Sequence, residues 1–212
     1  MSSLITVLLV DDHAVVREGY RRLLERDAGI QVVGEAANSG EAYERAAALD
    51  PEVIVMDIAL PGVSGIEATR RILARRPEQR ILMFSMHEDA IFAFRALEAG
   101  ARGYVSKASA PEVLVDAISV VARGERYLSP DVQKGAAQQT SSQTKSIVDT
   151  LSPREFEVLR LLARGETVRA IGEKLGLSEK TVANHQSTIR EKLGARNGVQ
   201  LARLAAELGL SL

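Results

Sequence analysis

Short apolar runs alternate with amphipathic stretches along the first 127 residues of the chain. The apolar runs predict strands at residues 5–10, 31–36, 53–57, 81–85 and 103–105. In the intervening stretches apolar side chains recur every three or four positions, which predicts helices at residues 15–26, 40–49, 66–76, 90–99 and 111–123. Repeated strand–helix units favour an α/β domain in which one parallel sheet, joined by right-handed crossovers, carries helices on both faces.

The last part of the chain shows only helical periodicity. Its predicted helices span residues 153–163, 168–175, 179–193 and 198–208. Ser152-Pro153-Arg154-Glu155 provides an N-cap, a proline at the first helical position and a capping-box glutamate. Ser109-Ala110-Pro111-Glu112 predicts a second capping box, at the last helix of the α/β part. A turn containing Gly176 leads into a longer helix with a polar face, which is typical of a helix-turn-helix.

A polar stretch separates the two parts. Residues 135–150 carry too little apolar bulk to offset the entropy of ordering them, so we predict a flexible linker there. The predicted limits are 1–127 for the α/β domain, 128–149 for the linker and 150–212 for the helical domain. Residues 1–127 carry 15 basic and 19 acidic side chains, whereas residues 128–212 carry 12 and 9. An acidic half joined to a basic half indicates two domains with different partners.

The composition excludes several classes of protein. The sequence has no cysteine, which excludes disulfides and thiolate chemistry. No apolar stretch approaches the roughly 20 residues that a membrane-spanning helix needs. The N-terminus lacks the basic region and long apolar core of a secretory signal. We therefore expect a cytoplasmic protein with no membrane partner.

Polar side chains follow the predicted strands where each strand ends. Asp11 and Asp12 come after the first strand, and Asp57 ends the third. Because the carboxyl ends of parallel strands meet in one crevice, we expect these carboxylates to lie together, and an oxygen-only cluster suits Mg²⁺. Ser85 and Lys107 follow the fourth and fifth apolar runs. A hydroxyl and an ammonium beside the acids predict a site for a phosphoryl group on Asp57.

The kind, order and strand position of these residues resemble the receiver domain of two-component response regulators. The resemblance implies a flavodoxin-like, doubly wound sheet of five parallel strands. It also implies that Asp57 accepts a phosphoryl group from a sensor histidine kinase, and that Lys107 pairs with a phosphoryl oxygen. The implied ligands of Mg²⁺ are Asp11, Asp12, Asp57 and the backbone carbonyl of Ala59.

Ser85 and Tyr104 resemble the switch pair of receivers, in which the hydroxyl moves to the phosphoryl oxygen and the ring follows it. Simpler interpretations stay open at this point. Tyr104 is alternatively a partly buried ring with its hydroxyl in water. Asp11 and Asp12 alternatively cap the helix that follows them. We interpret His13 as solvated or capping, since no second His or Cys lies near it in sequence to build a transition-metal site.

The helical domain resembles the LuxR-type DNA-binding domain at residues 151–155, 175–178, 181–185 and 192–194. Together with the receiver-like part, the chain resembles a NarL/FixJ-type response regulator. The resemblance implies that the helix over 179–193 is the recognition helix. The implied DNA contacts are Lys180, Thr181, Val182, Ala183, Asn184, His185, Ser187, Thr188, Arg190 and Lys192. On the last helix the implied dimer contacts, part of which must instead pack within the domain, are Leu201, Leu204, Ala205 and Leu208.

Two positions depart from the pattern of that family. Ala183 stands where many relatives carry Lys. We therefore expect base recognition to depend more on the Asn184 amide and on contact between the Ala183 methyl group and thymine. Gly172 stands where relatives usually carry Ala, at a cost of about 1 kcal/mol inside a helix. Gly172 either allows closer helix packing or weakens the domain.

These observations favour a phosphorylation-dependent transcriptional regulator that is not an enzyme. Its expected partners are double-stranded DNA, a sensor histidine kinase and a second copy of the chain upon phosphorylation or on DNA, with RNA polymerase as a further candidate. Three alternatives stay open: an aspartyl-phosphate phosphohydrolase, a DNA-binding protein that ignores phosphate, and a helical protein-interaction module in place of the DNA-binding domain. The basic helical domain and the lack of a substrate-capping insertion argue against the hydrolase.

Overall fold

The computed structural model describes residues 4–61, 63–86, 90–138 and 151–207. The chain divides into two compact units, Met1–Thr140 and Ser141–Leu212. Each unit has its own buried core.

The first unit is built on one parallel sheet with the strand order β2-β1-β3-β4-β5-β6. Its strands are β1 Ile5–Val10, β2 Ile30–Ala36, β3 Val53–Met56, β4 Arg80–Ser85, β5 Gly103–Ser106 and β6 Tyr127–Leu128. The first five follow the flavodoxin-like order, and the topological switch point lies between β1 and β3. The predicted doubly wound α/β fold is confirmed, and β6 extends the predicted five-stranded sheet at one edge.

Six helices flank this sheet within the described residues. They are α1 Ala14–Leu24, α2 Ser39–Leu49, α3 Gly65–Arg75, α4 Ala90–Glu98, α5 Pro111–Ala122 and α6 Pro130–Gln138. The side chains of Asn38 and Ser64 cap α2 and α3, because each accepts a hydrogen bond from the backbone N–H three residues ahead. The predicted capping box at Ser109 is wrong: the N-cap of α5 is Ala110, which makes no side-chain cap hydrogen bond.

The central strand β3 is buried at all four positions, as expected for a parallel strand covered by helices on both faces. On one face, side chains of β1, β3 and β4 pack with α1 and α5. That cluster includes Val7, Leu9, Val53, Val55, Leu82, Leu24, Leu114 and Ile118. The packed centre fixes the strand register, so the residues that follow the strands emerge at defined positions along one edge.

Part of the predicted linker belongs to the first unit. Within residues 128–149, which we predicted to be linker, the structure forms the end of β6 and all of α6. The backbone N–H of Ser129 donates to the carbonyl of Tyr104 (3.0 Å), and Val132 is completely buried. Pro130 begins the helix, where a missing N–H costs nothing. Val132 is a single large apolar residue in a polar stretch, so the sequence pattern did not indicate that it is buried. Residues 139–150 lie outside the described part of the chain.

The second unit contains the helices α7 Pro153–Ala163, α8 Val168–Leu175, α9 Glu179–Lys192 and α10 Gly198–Glu207. The capping box predicted at Ser152 and Glu155 is confirmed. The core of the unit consists of the buried residues Phe156, Val158, Leu159, Ile171, Val182, Ile189, Leu201 and Ala205. In the described ranges of both units, no helix is long and apolar enough to cross a membrane.

Candidate functional site

Asp11 and Asp57 lie side by side at the carboxyl edge of the sheet. Their strands are neighbours, with Val10 of β1 paired with Met56 of β3. The backbone N–H of Asp57 donates to the carbonyl of Val10 across 2.9 Å. Asp11 is 6% exposed and Asp57 is 4% exposed, so both carboxyl groups are largely removed from water. Two buried carboxylates side by side need a cation between them.

Lys107 provides that cation. It follows β5, and its Nζ lies 2.5 Å from Oδ2 of Asp11 and 2.5 Å from Oδ2 of Asp57. Burial would lower the pKa of Lys107, but the charges of Asp57 and Asp11 and its hydrogen bonds to them raise the pKa above its ordinary value. The backbone N–H of Lys107 donates to the carbonyl of Ser85 (2.8 Å), which fixes the start of the loop. The lysine is therefore fully protonated and held in place.

The second oxygen of Asp57 is held by the backbone. Its Oδ1 accepts a hydrogen bond from the N–H of Ala59 (3.2 Å). Gly65, the first residue of α3, packs directly on the carbonyl group of Asp57: a Cβ at this position would lie 1.9 Å from that oxygen. Only glycine allows this approach, because a contact so short requires the backbone to move. Gly65 therefore sets the position of the loop that follows Asp57.

Asp12 and His13 form the exposed rim of the site. His13 Nδ1 lies 2.7 Å from Oδ1 of Asp12, and ligand atoms of Asp11, Asp12 and His13 all lie within 4.8 Å of one another. His13 is the N-cap of α1 by backbone geometry, but it makes no side-chain cap hydrogen bond. Asp11 instead accepts from the N–H of His13 (2.8 Å). Helix capping therefore does not account for the acid pair.

Arg17 was not among the predicted site residues. Its Nη1 donates to the backbone carbonyl of Asp11 (2.6 Å), and its Nε donates to Glu35 (2.9 Å). Arg21, one turn further along α1, also binds Glu35. Burial would raise the pKa of Glu35, but the hydrogen bonds from Arg21 and Arg17 lower it. The spacing of the two arginines was visible in the sequence, whereas their partner at the end of β2 became apparent only from the fold.

The two predicted switch residues lie inside the sheet layer. Ser85, the last residue of β4, and Tyr104, in β5, are both completely buried. The alternative of a partly buried Tyr104 ring with its hydroxyl in water is therefore wrong. On the other side of the sheet, Phe84 lies under the ammonium of Lys107 (5.7 Å to the ring centre) and stacks edge-on with Tyr20 at 4.6 Å.

In the second unit, α8 and α9 form a tight helix-turn-helix. The N–H of Leu177 donates to the carbonyl of Gly172 (2.9 Å), and a Cβ on Gly172 would lie 2.7 Å from the carbonyl oxygen of Leu177. Gly172 therefore permits the close packing, which decides between our two interpretations of it. Gly176 ends α8 with φ +63°, a conformation that favours glycine. Ser178 caps α9 by accepting from the N–H of Thr181.

Most of the predicted DNA contacts lie on the solvent-facing side of α9. Lys180, Ala183, Asn184, Ser187 and Lys192 are exposed, and Thr181, His185, Thr188 and Arg190 are half-buried. Val182 is completely buried in the core, so its assignment as a DNA contact is wrong. The hydroxyl of Thr188 donates to the carbonyl of Asn184 within the helix, and Lys192 binds Glu155 (2.7 Å). Thr181 has a partner inside the unit as well, since its Oγ1 lies 2.7 Å from Oγ of Ser178.

The predicted dimer contacts on α10 divide in the same way. Leu201 and Ala205 are buried inside the unit, so they pack in its core and are not available to a second copy. Leu204 is half-buried, and Leu208 lies outside the described residues. Val199, on the same helix, is 81% exposed. A three- or four-residue spacing identifies the apolar stripe of such a helix, but it does not distinguish the core from an interface.

Comparisons with known proteins agree with both units. The model of the response regulator receiver domain matches residues 7–119, and the model of bacterial regulatory proteins of the luxR family matches residues 149–205. The chain is 39% identical over 209 residues to the response regulator UvrY of Escherichia coli O6:H1, with 98% of this chain and 96% of UvrY covered. It is 38% identical over 209 residues to the response regulator GacA of Pseudomonas aeruginosa, with 98% of each chain covered.

Solved structures of response regulators match this chain over part or nearly all of its length. A LuxR-family two-component response regulator from Aurantimonas is 50% identical, with a TM-score of 0.63, covering 66% of this chain and 100% of that one. The response regulator RcsB in complex with DNA is 28% identical, with a TM-score of 0.60, covering 99% of this chain and 100% of that one. These matches exclude the hydrolase and the interaction module. The chain belongs to the NarL/FixJ-type response regulators, and it is a phosphorylation-dependent, DNA-binding transcriptional regulator.

Proposed function

We propose that Asp57 is the phosphoryl acceptor of this regulator. The observation that carries the proposal is the bridge from Lys107 to Asp11 and Asp57, at 2.5 Å on each side. A carboxylate oxygen of Asp57 attacks phosphorus, an O–P bond forms, and the bond from phosphorus to the histidine nitrogen of the kinase breaks. Lys107 then pairs with a phosphoryl oxygen, where its positive charge offsets the charge of the transferred group.

The residues of the site fit a Mg²⁺ ion. Asp11, Asp12 and Asp57 offer carboxylate oxygens, and we assign the carbonyl of Ala59 as a fourth ligand. Oxygen donors suit this hard cation, and the exposed rim at Asp12 leaves room for the waters that it retains. When bound, Mg²⁺ supplies positive charge that offsets repulsion between the carboxylate and the incoming phosphoryl oxygens. The buried pair Asp11 and Lys107 orients Asp57 before the ion arrives.

The output of the switch is assigned to Ser85, Tyr104 and α9. Ser85 moves toward the phosphoryl oxygen, and the ring of Tyr104 follows into the space that it leaves.

The phosphorylated chain forms a homodimer, whose α10 contacts are Leu204, Leu208 and the exposed Val199. The dimer reads DNA through Asn184 and Ala183, with Lys180, Thr181, His185, Ser187 and Arg190 toward the phosphates. A sensor histidine kinase donates the phosphoryl group, and RNA polymerase is the partner at the promoter.

Asp57→Asn should abolish labelling by a small phosphodonor in the presence of Mg²⁺. The fold should survive, because asparagine has nearly the same shape and keeps an oxygen that can accept from the Ala59 N–H. Intact mass and peptide mapping measure the label. Glu52→Gln, which alters an acid just before β3, is the matched control and should label like the natural protein. A fully labelled Asp57→Asn variant would place the acceptor elsewhere.

Asp12→Ala should weaken Mg²⁺ binding by about tenfold and slow phosphorylation to a similar degree, since one carboxylate ligand is lost. Mg²⁺ affinity is measured by titration, and phosphorylation is followed at low and at saturating Mg²⁺. Saturating Mg²⁺ should recover most of the rate. His13→Ala is the control for the rim, because it removes the partner of Asp12 without removing an oxygen ligand. Normal phosphorylation of Asp12→Ala in low Mg²⁺ would refute this role.

A further inference from the structure

A cluster of hydroxyl groups joins the Lys107 loop to helix α6. The Ser109 hydroxyl lies 3.0 and 3.1 Å from the two carboxylate oxygens of Asp131, in the first turn of α6. The N–H of Ser106 lies 3.4 Å from the hydroxyl oxygen of Ser129, the residue just before α6. Ser106 and Ser129 are completely buried. Ser106 at the end of β5 and Ser109 on the loop therefore face two residues at the start of the helix.

The cluster adjoins both the phosphoryl-binding lysine and the switch tyrosine. Lys107 lies directly after Ser106 and two residues before Ser109. On the other side, the N–H of Ser129 donates to the carbonyl of Tyr104 (3.0 Å). The start of α6 is thus bonded to the strand that carries Tyr104 and to the loop that carries Lys107.

Asp131 is held as a carboxylate. Burial would raise its pKa, but hydrogen bonds from Ser129, Ser109 and Ser106 lower the pKa below its ordinary value. A negative charge in the first turn of a helix is also stabilised by the free N–H groups there. Val132, next to it, is completely buried in the first unit, which holds the same turn in place. Asp131 therefore has a defined position, even though it follows the predicted end of the domain.

We propose that Asp131 is a latch that couples the position of Lys107 to helix α6, the last described element before residues 139–150 and the DNA-binding unit. The inference rests on the proposed phosphorylation of Asp57. The ammonium now binds Asp11 and Asp57, and phosphoryl oxygens on Asp57 lie further from the sheet than the carboxylate does. Lys107 follows them and moves the loop of Ser109. This movement changes the geometry of the hydrogen bond between Ser109 and Asp131, and a hydrogen bond weakens steeply when its geometry is lost. The first turn of α6 is therefore affected by the position of Lys107.

Hydrogen exchange of the full-length protein tests the latch. In the unphosphorylated state, Asp131→Ala should speed exchange in residues 130–138 by about five- to tenfold, as expected when charge-assisted hydrogen bonds at a helix start are lost. Ser109→Ala should act in the same direction, and the double variant should add little to Asp131→Ala. Asp116→Ala, an exposed acid on α5, is the matched control and should leave α6 unchanged.

The coupling between Lys107 and α6 is measured by comparing hydrogen exchange before and after phosphorylation. In the natural protein, labelling of Asp57 should change exchange across residues 130–138 by at least about twofold. The Asp131→Ala variant should still be labelled at Asp57, but the labelling should no longer change hydrogen exchange in α6. The latch is refuted if natural α6 exchange is the same before and after labelling, or if Asp131→Ala keeps the full response. Absence of labelling in the natural protein would instead refute the proposed function, and the unphosphorylated comparison would still test the contact between Ser109 and Asp131.

Discussion

Lys107→Met should lower the free energy of unfolding by about 3–5 kcal/mol, because it leaves two buried carboxylates without their shared cation. Lys107 Nζ is 2.5 Å from both Asp11 and Asp57, and all three side chains are less than a tenth exposed. Methionine keeps the apolar length of the side chain and removes only the charge and its hydrogen bonds. Urea unfolding, followed by circular dichroism, measures the loss.

Two further variants make the stability result specific. Adding Asp57→Asn to Lys107→Met should recover much of the lost stability, since it removes one of the two carboxylates that repel each other. Lys134→Met replaces an exposed lysine of α6 and should change stability by less than about 0.5 kcal/mol. If Lys107→Met were no less stable than Lys134→Met, the bridge would not be a structural part of the site. Lys107→Met should also fail to hold the phosphoryl group in place, and the double variant should not be labelled, because it lacks the carboxylate of Asp57.

A fragment of residues 150–212 should bind DNA at least about tenfold more tightly than the unphosphorylated full-length protein, because it lacks the receiver that restrains binding, and couplings between two sites are typically of this size. The second unit has its own core, so the fragment should fold alone. The exposed side of α9 should meet the major groove, and phosphate contacts should make the binding strongly salt-dependent. Fluorescence anisotropy measures both affinities on a duplex selected from a random pool by the fragment.

The fragment also offers controls for the recognition face. Asn184→Ala should weaken binding by about tenfold, as expected for the loss of a base contact. Glu166 lies between α7 and α8, where it pairs with Lys174. The Glu166→Gln fragment is the control and should bind DNA like the natural fragment. Equal affinity of fragment and full-length protein before phosphorylation would mean that the receiver does not restrain DNA binding, and control would then lie in the recruitment of another partner.

The strand-end residues could be predicted because a parallel sheet converts sequence order into spatial proximity. Asp11, Asp57 and Lys107 lie 46 and 50 residues apart along the chain, yet pairing of neighbouring strands brings them to one edge. The hydrophobic pattern identifies the strands, and the residue after each strand then has a defined location. The capping motif at Ser152 was equally readable, because it is local to four residues.

A local sequence pattern does not predict the role of a residue whose partner is distant in sequence. Ser109 precedes Pro111 and Glu112 as a capping residue would, but its hydroxyl binds Asp131 instead, 22 residues further on. Residues 130–138 are polar enough for a linker, but the complete burial of Val132 and the hydrogen bonds of Ser129 and Asp131 join them to the first unit. On α10, periodicity does not separate Leu201, which fills the core, from Val199, which faces solvent.

Control of DNA binding by phosphorylation of Asp57 is tested by the DNA affinity of the full-length protein, measured with and without phosphodonor and Mg²⁺. The natural protein and Asp57→Asn are titrated against the selected duplex, and intact mass gives the labelled fraction in each sample. The natural protein should gain at least about tenfold in affinity, in proportion to the labelled fraction, while Asp57→Asn gains nothing. A gain in Asp57→Asn equal to that of the natural protein, or fully labelled natural protein that binds no more tightly than before, would contradict the account.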